Sequence, residues 1–171
     1  QFDERQRMVS DRARTNSCAI VYVNQVCGQD ELVYDGGSMV FDHRGDMLMR
    51  AEQFSESLSF IDISVSESHV ASDVSVIEIS QSTRARGAQR EGTITPNSSD
   101  MEQVFGALVL GTRDYVRKNG FTDVVIGLSG GIDSALVAAI AVEALGPQHV
   151  HGVSMPSRYS SEGSRTDAAL L

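Results

Sequence analysis

A short loop rich in glycine and serine constrains this chain more than any other feature of its sequence. It consists of Gly127, Leu128, Ser129, Gly130, Gly131, Ile132, Asp133 and Ser134. Residues 123–128 form an apolar run typical of a buried strand, and residues 134–145 form an Ala-rich run that predicts a helix ending before Gly146 and Pro147. We therefore expect the loop at the carboxyl end of a strand and the amino end of a helix.

This position favours an anionic ligand. The first N–H groups of a helix have no partner within the helix, and the helix dipole attracts negative charge to the same end. Gly130 and Gly131 allow the backbone to approach a ligand closely, and Ser129 and Ser134 add hydroxyl groups. Asp133 supplies a carboxylate oxygen of the kind that Mg²⁺ prefers. The loop is thus predicted to hold a pyrophosphate group and its metal ion.

Two common phosphate-binding motifs do not fit the loop. The Walker motif requires a Lys, which is absent here, and the dinucleotide fingerprint G-x-G-x-x-G has a different glycine spacing. The pattern S-G-G-x-D-S instead resembles that of the ATP pyrophosphatases, which cleave ATP to AMP and pyrophosphate to adenylate a substrate. The alternative is a simple Gly-Ser turn between a strand and a helix.

A second segment resembles the NAD synthetases. Residues 149–155 predict another strand, and the segment from Met155 to Ser161, with Ser164, Asp167 and Ala168, is similar to the segment that follows this strand in that family. The resemblance implies that backbone groups of Ser154 and Met155 lie beside the adenine and ribose of ATP. It also suggests that Arg158 contacts a phosphate or a nucleotide substrate, whereas a solvated loop cation is the alternative for Arg158.

The first half of the chain resembles a different domain. Residues 24–38 read N-x-x-x-G-Q-D-E-L-x-x-D-G-G-S between the predicted strands 19–26 and 39–42. This segment is similar to the late part of the nitrilase-like glutamine amidase domain that precedes the synthetase domain in glutamine-dependent NAD synthetases. Cys27 stands where that family usually has Gly. We do not expect Cys27 to be catalytic, because the acidic neighbours Asp30 and Glu31 disfavour its thiolate.

The two halves are separated by a change in composition. Alternating Ser and Ile or Val between Glu56 and Ile79 favours two strands, and residues 80–100 are polar and predict an exposed connection. Ser99 and Glu102 then match a capping box, followed by apolar residues at helical spacing up to Gly120. We expect these apolar residues to form a stripe on the helix that packs against the sheet. The stripe contains Met101, Val104, Phe105, Leu108, Tyr115 and Val116.

Composition limits the partners and the location. The net charge is −9, with 14 Lys and Arg against 23 Asp and Glu, which argues against nucleic acid. Two lone cysteines predict neither a disulfide framework nor a metal site, and the four histidines have no ligand spacing. The sequence has no apolar run long enough to predict a membrane segment, so we expect a cytoplasmic protein. Both ends fall within predicted helices, from which we expect the chain to be part of a longer one.

The resulting interpretation is an α/β protein with three parts. Residues 1–80 are assigned to the C-terminal part of a nitrilase-like α/β sandwich, residues 81–99 to a linker, and residues 100–171 to the start of a parallel-sheet domain of the ATP pyrophosphatase (adenine nucleotide alpha hydrolase-like) type. The resemblance implies ATP-binding residues at 127–134 and Met155, and Mg²⁺ on Asp133. It places the amidase Glu, Lys and Cys outside the chain, so that no amidase catalytic residue is expected here.

The activity that this resemblance implies is amidation of nicotinic acid adenine dinucleotide to NAD by a homo-oligomer. Ammonia would come from glutamine, and ATP with Mg²⁺ would form an adenylated intermediate and release AMP and pyrophosphate. Two alternatives stay open. One is another ATP pyrophosphatase, such as a GMP synthetase, an asparagine synthetase or a tRNA-thiolating enzyme, and the other is a non-catalytic binding or assembly module.

Overall fold

A computed structural model describes residues 2–64, 77 and 87–171 of the chain. The helices and strands are α1 (Phe2–Asn16), β1 (Ile20–Tyr22), β2 (Val26–Gln29), β3 (Leu32–Asp35), β4 (Met39–Phe41), β5 (Met47–Arg50), α2 (Asp100–Lys118), β6 (Val124–Leu128), α3 (Ile132–Leu145), a 3₁₀ turn (Pro147–His149), β7 (Val150–Ser154) and α4 (Glu162–Leu170). They divide between two compact units. Unit 1 contains Gln1–Val23, Gly37–Glu52 and Ser57–Pro96, and unit 2 contains Asn24–Gly36, Gln53–Glu56 and Asn97–Leu171.

Unit 1 is a small antiparallel sheet with one helix packed on it. The strand order is β1-β4-β5, and β4 is buried along its whole length. The helix buries Phe2, Val9 and Ala13 against Met39 and Phe41 of β4. The spacing of these three helical residues places them on one face of α1, because side chains that are four and seven residues apart lie above one another. The core of unit 1 is therefore formed by this face of α1 and by β4.

Unit 2 begins with the β2–β3 hairpin, which packs against α2. The backbone N–H of Gly28 donates a hydrogen bond to Oδ2 of Asp114 at 2.8 Å, and Lys118 donates one to the carbonyl oxygen of Gly28. A Cβ atom at Gly28 would lie 3.0 Å from Cα of Gly111 on α2. Close backbone packing and a largely buried carboxylate thus fix the hairpin on the helix.

The second part of unit 2 is a β-α-β arrangement. Strands β6 and β7 pair in parallel, and α3 connects them. The core beneath the pair contains Val116 of α2 together with Ala144 and Leu145 of α3, and Val124 and Val150 pack against it. The chain is accordingly a mixed α/β protein in which an antiparallel sheet precedes a parallel pair, so the predicted fold class is confirmed.

Several local predictions can be compared with these elements. The capping box at Ser99 is confirmed: Ser99 Oγ accepts from Glu102 N–H and Glu102 Oε2 accepts from Ser99 N–H. The predicted apolar stripe on α2 is wrong for most of its members: Val116 is buried, but Met101, Val104, Phe105, Leu108 and Tyr115 are exposed. Leu110, which is outside the stripe, is buried instead.

Two strand predictions also differ from the structure. The apolar run 19–26 is divided between β1 and β2, because its two ends pair with different strands, β4 and β3. Residues 60–64 are not a strand: the backbone bond from Asp62 N–H to Arg90 O (3.1 Å) is not continued into a ladder. Apart from Ile77 and the segment up to Ser64, the remainder of the predicted strands in residues 56–79 lies outside the described residues. No helix in the described ranges is long and apolar enough to cross a membrane.

Candidate functional site

The predicted loop joins β6 to α3 at the surface of unit 2. Helix α3 begins at Ile132, two residues earlier than the sequence predicts, because Gly131 already has the extended backbone of an N-cap (φ −94°, ψ 160°). Asp133 therefore lies in the first turn of the helix, and it is exposed. Gly131 offers no side chain to accept a hydrogen bond, so the first N–H groups of α3 are available to a ligand.

The two serines of the loop hold it in shape. Ser134 Oγ donates to the carbonyl oxygen of Gly131 (2.9 Å) and accepts from the N–H of Ser129 (3.3 Å). Ser129 Oγ accepts from the N–H of Gly131 (3.2 Å) and lies 3.1 Å from Ser134 Oγ. These bonds use the N–H groups of Ser129 and Gly131. Within the described part of the chain, no hydrogen bond engages the N–H groups of Ile132 and Asp133, so these donors could meet an anion at the helix end.

Gly130 is required both by its conformation and by its surroundings. Its φ is +78°, and a Cβ atom there would overlap the carbonyl oxygen of Ser164 and lie 2.8 Å from Cα of Ser164. Ser164 belongs to the first turn of α4, so this helix packs directly on the loop. Glycine alone satisfies both demands without strain. The close approach of α4 to the loop was not evident from the sequence.

The structure also places Met155 beside the loop. A Cβ atom at Gly127 would lie 3.2 Å from the Cε methyl of Met155, so the tip of this largely exposed side chain lies close to the first residue of the loop. Arg158 is exposed, and its guanidinium lies over the ring of Tyr159 at 4.8 Å from the ring centre. The structure thus places Met155 beside Gly127 at the start of the loop, and it gives Arg158 an aromatic neighbour.

The segment between β7 and α4 forms a serine-rich turn. Ser160 N–H donates to Ser157 O (3.1 Å), Ser157 N–H donates to Ser160 Oγ (2.9 Å), and Ser161 caps α4 by accepting from Ser164 N–H (3.1 Å). Arg165 of α4 reaches back and donates from Nη2 to Ser157 O at 2.9 Å. No local sequence pattern indicates this contact of Arg165, because its partner Ser157 lies eight residues earlier in the chain.

An Asp-His cluster lies at the other end of the parallel pair, where β6 and β7 begin. Asp123 Oδ1 is 3.1 Å from His151 Nε2 and 3.4 Å from His149 Nδ1. Hydrogen bonds from the Thr122 hydroxyl and from His151 lower the pKa of Asp123 to about 2. Because it is at the opposite strand ends from the loop, we assign this cluster to the stability of the sheet.

In the described part of the chain, no three His, Cys, Asp or Glu side chains lie close enough together to hold a metal ion. Cys27 lies within β2 opposite Tyr34, and its Sγ is 3.8 Å from Oε1 of Gln25. No imidazole or carboxylate base is bonded to this thiol among the described residues. Its surroundings are those of a strand residue in a hairpin.

Comparison with known proteins gives two family matches in succession. Residues 3–71 match the carbon–nitrogen hydrolase model, and residues 104–171 match the NAD synthase model. The loop and the Met155–Ser161 segment both fall in the second match. The order of the two matches along the chain is the order predicted from the two sequence segments.

Individual relatives agree with these matches. The chain is 38% identical to a glutamine-dependent NAD(+) synthetase of Aquifex aeolicus over 100% of its own length and 32% of that protein's. It is 42% identical to the Thermotoga maritima protein of the same name over 98% and 31%, respectively. A solved structure of glutamine-dependent NAD+ synthetase from Acinetobacter baumannii in complex with ADP is 36% identical, with a TM-score of 0.77 over 98% of this chain and 28% of that one.

The chain thus spans about a third of the length of the curated relatives that it matches. The predicted resemblance is confirmed over the whole of the present sequence, in both of its halves. The chain resembles the part of a glutamine-dependent NAD+ synthetase in which a carbon–nitrogen hydrolase segment is followed by an NAD synthase segment.

Proposed function

We propose that this chain is part of an enzyme that makes NAD from nicotinic acid adenine dinucleotide, with ammonia derived from glutamine. ATP adenylates the substrate carboxylate, and pyrophosphate is released. Ammonia then attacks the activated carbonyl, and AMP leaves. The names of the relatives support the overall activity, and the loop between β6 and α3 supports the use of ATP.

The observation that carries this proposal is the open, prearranged loop at the start of α3. Its serines fix the backbone, its first helical N–H groups lack side-chain acceptors, and Gly130 permits the close approach of α4. Donors that are fixed in advance stabilise the negative charge that develops on a departing pyrophosphate, without reorganisation during the reaction. We assign the phosphates of ATP to this loop, through residues 127–134.

The surroundings of Asp133 fit a magnesium ion. Its carboxylate is exposed in the first turn of α3. When bound, Mg²⁺ would neutralise phosphate charge and polarise the phosphoryl oxygens. Asp133 would hold the ion, while the N–H groups of the loop orient the phosphates. Met155 would cover the adenosine side, and Arg158 would contact a phosphate or the nucleotide substrate.

We also propose a domain division, which follows from the two family resemblances. We assign residues 1–80 to the amidase segment, 81–99 to the linker and 100–171 to the synthetase segment. The amidase nucleophile would lie outside the chain, so this chain alone is expected to release no ammonia from glutamine. We propose further that the complete protein is cytoplasmic and forms a homo-oligomer.

Product analysis of the complete protein tests the reaction. With nicotinic acid adenine dinucleotide, glutamine, ATP and Mg²⁺, we expect NAD, AMP and pyrophosphate in equal amounts. Formation of ADP and phosphate would contradict the adenylation step. NAD formation that requires supplied ammonia, and is not supported by glutamine, would contradict the amidase assignment. Amidation of a purine nucleotide or aspartate in its place would favour another ATP pyrophosphatase.

The second candidate is a binding or assembly module without catalysis. The exposed apolar residues on α2, such as Met101 and Leu108, favour a surface that other parts of a protein cover. The two candidates differ in nucleotide binding. A module of this kind would bind no ATP, and substitutions in the loop would leave its assembly unchanged.

A further inference from the structure

The turn that carries Arg158 has its own internal hydrogen bonds. Residues 157–160 are closed by the bonds between Ser157 and Ser160, and Tyr159 N–H also donates to Ser157 Oγ (3.2 Å). These bonds determine the shape of the turn. They are all local, so they do not determine where the turn lies relative to the phosphate-binding loop.

Helix α4, in contrast, is fixed against that loop. The backbone of Ser164 occupies the space beside Gly130 that a side chain would need, and Ala168 one turn later is buried, with 6% of its surface exposed. A group attached to α4 therefore keeps a defined position relative to residues 127–134. The residue directly after Ser164 in the helix is Arg165.

Arg165 connects the turn to this fixed helix. Its Nη2 donates to the carbonyl oxygen of Ser157 at 2.9 Å. Within the described ranges, no other hydrogen bond joins residues 157–160 to α4. The guanidinium is a charged donor, and a bond from a charged donor is stronger than one between neutral groups. The contact thus holds the turn at one edge of the loop.

We propose that Arg165 is a positioning residue for the nucleotide site. It does not touch the ligand; it holds the Ser157–Ser160 turn, and with it Arg158 and Tyr159, in the place from which Arg158 meets the nucleotide. The stacking of Arg158 on Tyr159 means that both side chains move with the turn. This inference rests on the proposed use of ATP at the loop.

The test is the affinity of the complete protein for ATP with Mg²⁺, measured by calorimetry without the amide donor. We expect Arg165→Gln to weaken binding by about three- to tenfold, as loss of a partly exposed charge-assisted bond would produce. Arg165→Lys keeps a charged donor and should recover most of the affinity. Arg117→Gln is the matched control, because Arg117 is an exposed arginine in the last turn of α2.

A double-mutant cycle separates positioning from general structure. If Arg165 acts through the turn, Arg158→Ala should cost less affinity in the Arg165→Gln background than in the unmodified protein. Arg165 and the Ser160 N–H donate to the same Ser157 oxygen, so losing Arg165 should also loosen the turn: amide exchange at Ser160 without nucleotide should be faster in Arg165→Gln, whereas exchange in β6 should not change. This second measurement needs no ligand.

The outcomes distinguish the two proposals. If the unmodified protein binds ATP and Arg165→Gln binds it within twofold, or if the Arg158 and Arg165 effects simply add, the positioning role is refuted. Unchanged exchange at the turn would refute the tether itself. If the unmodified protein binds no ATP with Mg²⁺, the proposed function is wrong, and the role of Arg165 in nucleotide binding falls with it.

Discussion

Replacing Gly130 by Ala tests how tightly the loop and α4 are fitted together. At φ +78°, a Cβ atom costs roughly 1–2 kcal/mol by strain alone. It would also overlap the Ser164 carbonyl, and overpacking of this kind typically costs about 1–3 kcal/mol. We therefore expect the β6–α3 segment to lose about 2–5 kcal/mol of local stability, measured as the free energy of opening by amide exchange.

Two other glycines separate the contributions. Gly120 has φ +80° but nothing within 4 Å of a Cβ position, so Gly120→Ala should cost the last turn of α2 only the strain, about 1–2 kcal/mol. Gly131 has φ −94°, and its Cβ would lie 3.3 Å from Ser129 Oγ, a contact that a shift of a few tenths of an ångström relieves without breaking the loop's hydrogen bonds. Gly131→Ala should cost less than about 1 kcal/mol. If Gly130→Ala costs no more than Gly120→Ala, the close packing of α4 on the loop is refuted.

Three further predictions concern the framework of unit 2. Ser99→Ala removes the acceptor of the Glu102 N–H and should cost α2 about 1 kcal/mol, seen as faster exchange in its first turn; unchanged exchange would contradict the capping role. Asp114→Ala leaves the Gly28 N–H unpaired and should destabilise the β2–β3 hairpin by about 1–3 kcal/mol by the same method, whereas a loss below about 0.5 kcal/mol would refute the anchor. Because the pKa of Asp123 is about 2 when folded and 3.8 as the ordinary value, its contribution to stability is complete above pH 3.8 and is lost as the pH falls towards 2. In Asp123→Asn, the free energy of unfolding should fall less between pH 3.8 and pH 2 than it does in the unmodified protein. An equal fall in both proteins would contradict the assignment.

Local signals account for the parts of unit 2 that the sequence predicts well. The strand, the loop and α3 are all encoded within residues 123–147, where an apolar run, two glycines, an Ala-rich run and a Gly-Pro stop follow one another. The helix boundary differs by two residues, because the extended Gly131 serves as the N-cap. The capping box of α2 was equally local, since Ser99 and Glu102 are three residues apart.

Features that depend on distant contacts could not be derived in this way. Gly28 and Asp114 are 86 residues apart, and neither shows in its own surroundings that they are bonded. The buried residues of α2 could not be predicted because α3 and the β2–β3 hairpin pack on this helix, and helical periodicity does not show which side chains they cover. Arg165 was missed for the same reason, because its partner is defined by the path of the chain between β7 and α4.

The most direct test of the nucleotide site is binding of a non-hydrolysable ATP analogue to the complete protein, with and without Mg²⁺, in the Asp133→Asn variant. We expect magnesium to strengthen binding in the unmodified protein by at least tenfold, about 1.4 kcal/mol, and to have little effect in Asp133→Asn. Asp100→Asn, which changes an exposed carboxylate in the first turn of α2, should retain the full magnesium effect. Equal enhancement by magnesium in all three proteins would contradict the assignment of the metal to Asp133, and no binding by any of them would contradict the assignment of ATP to the loop.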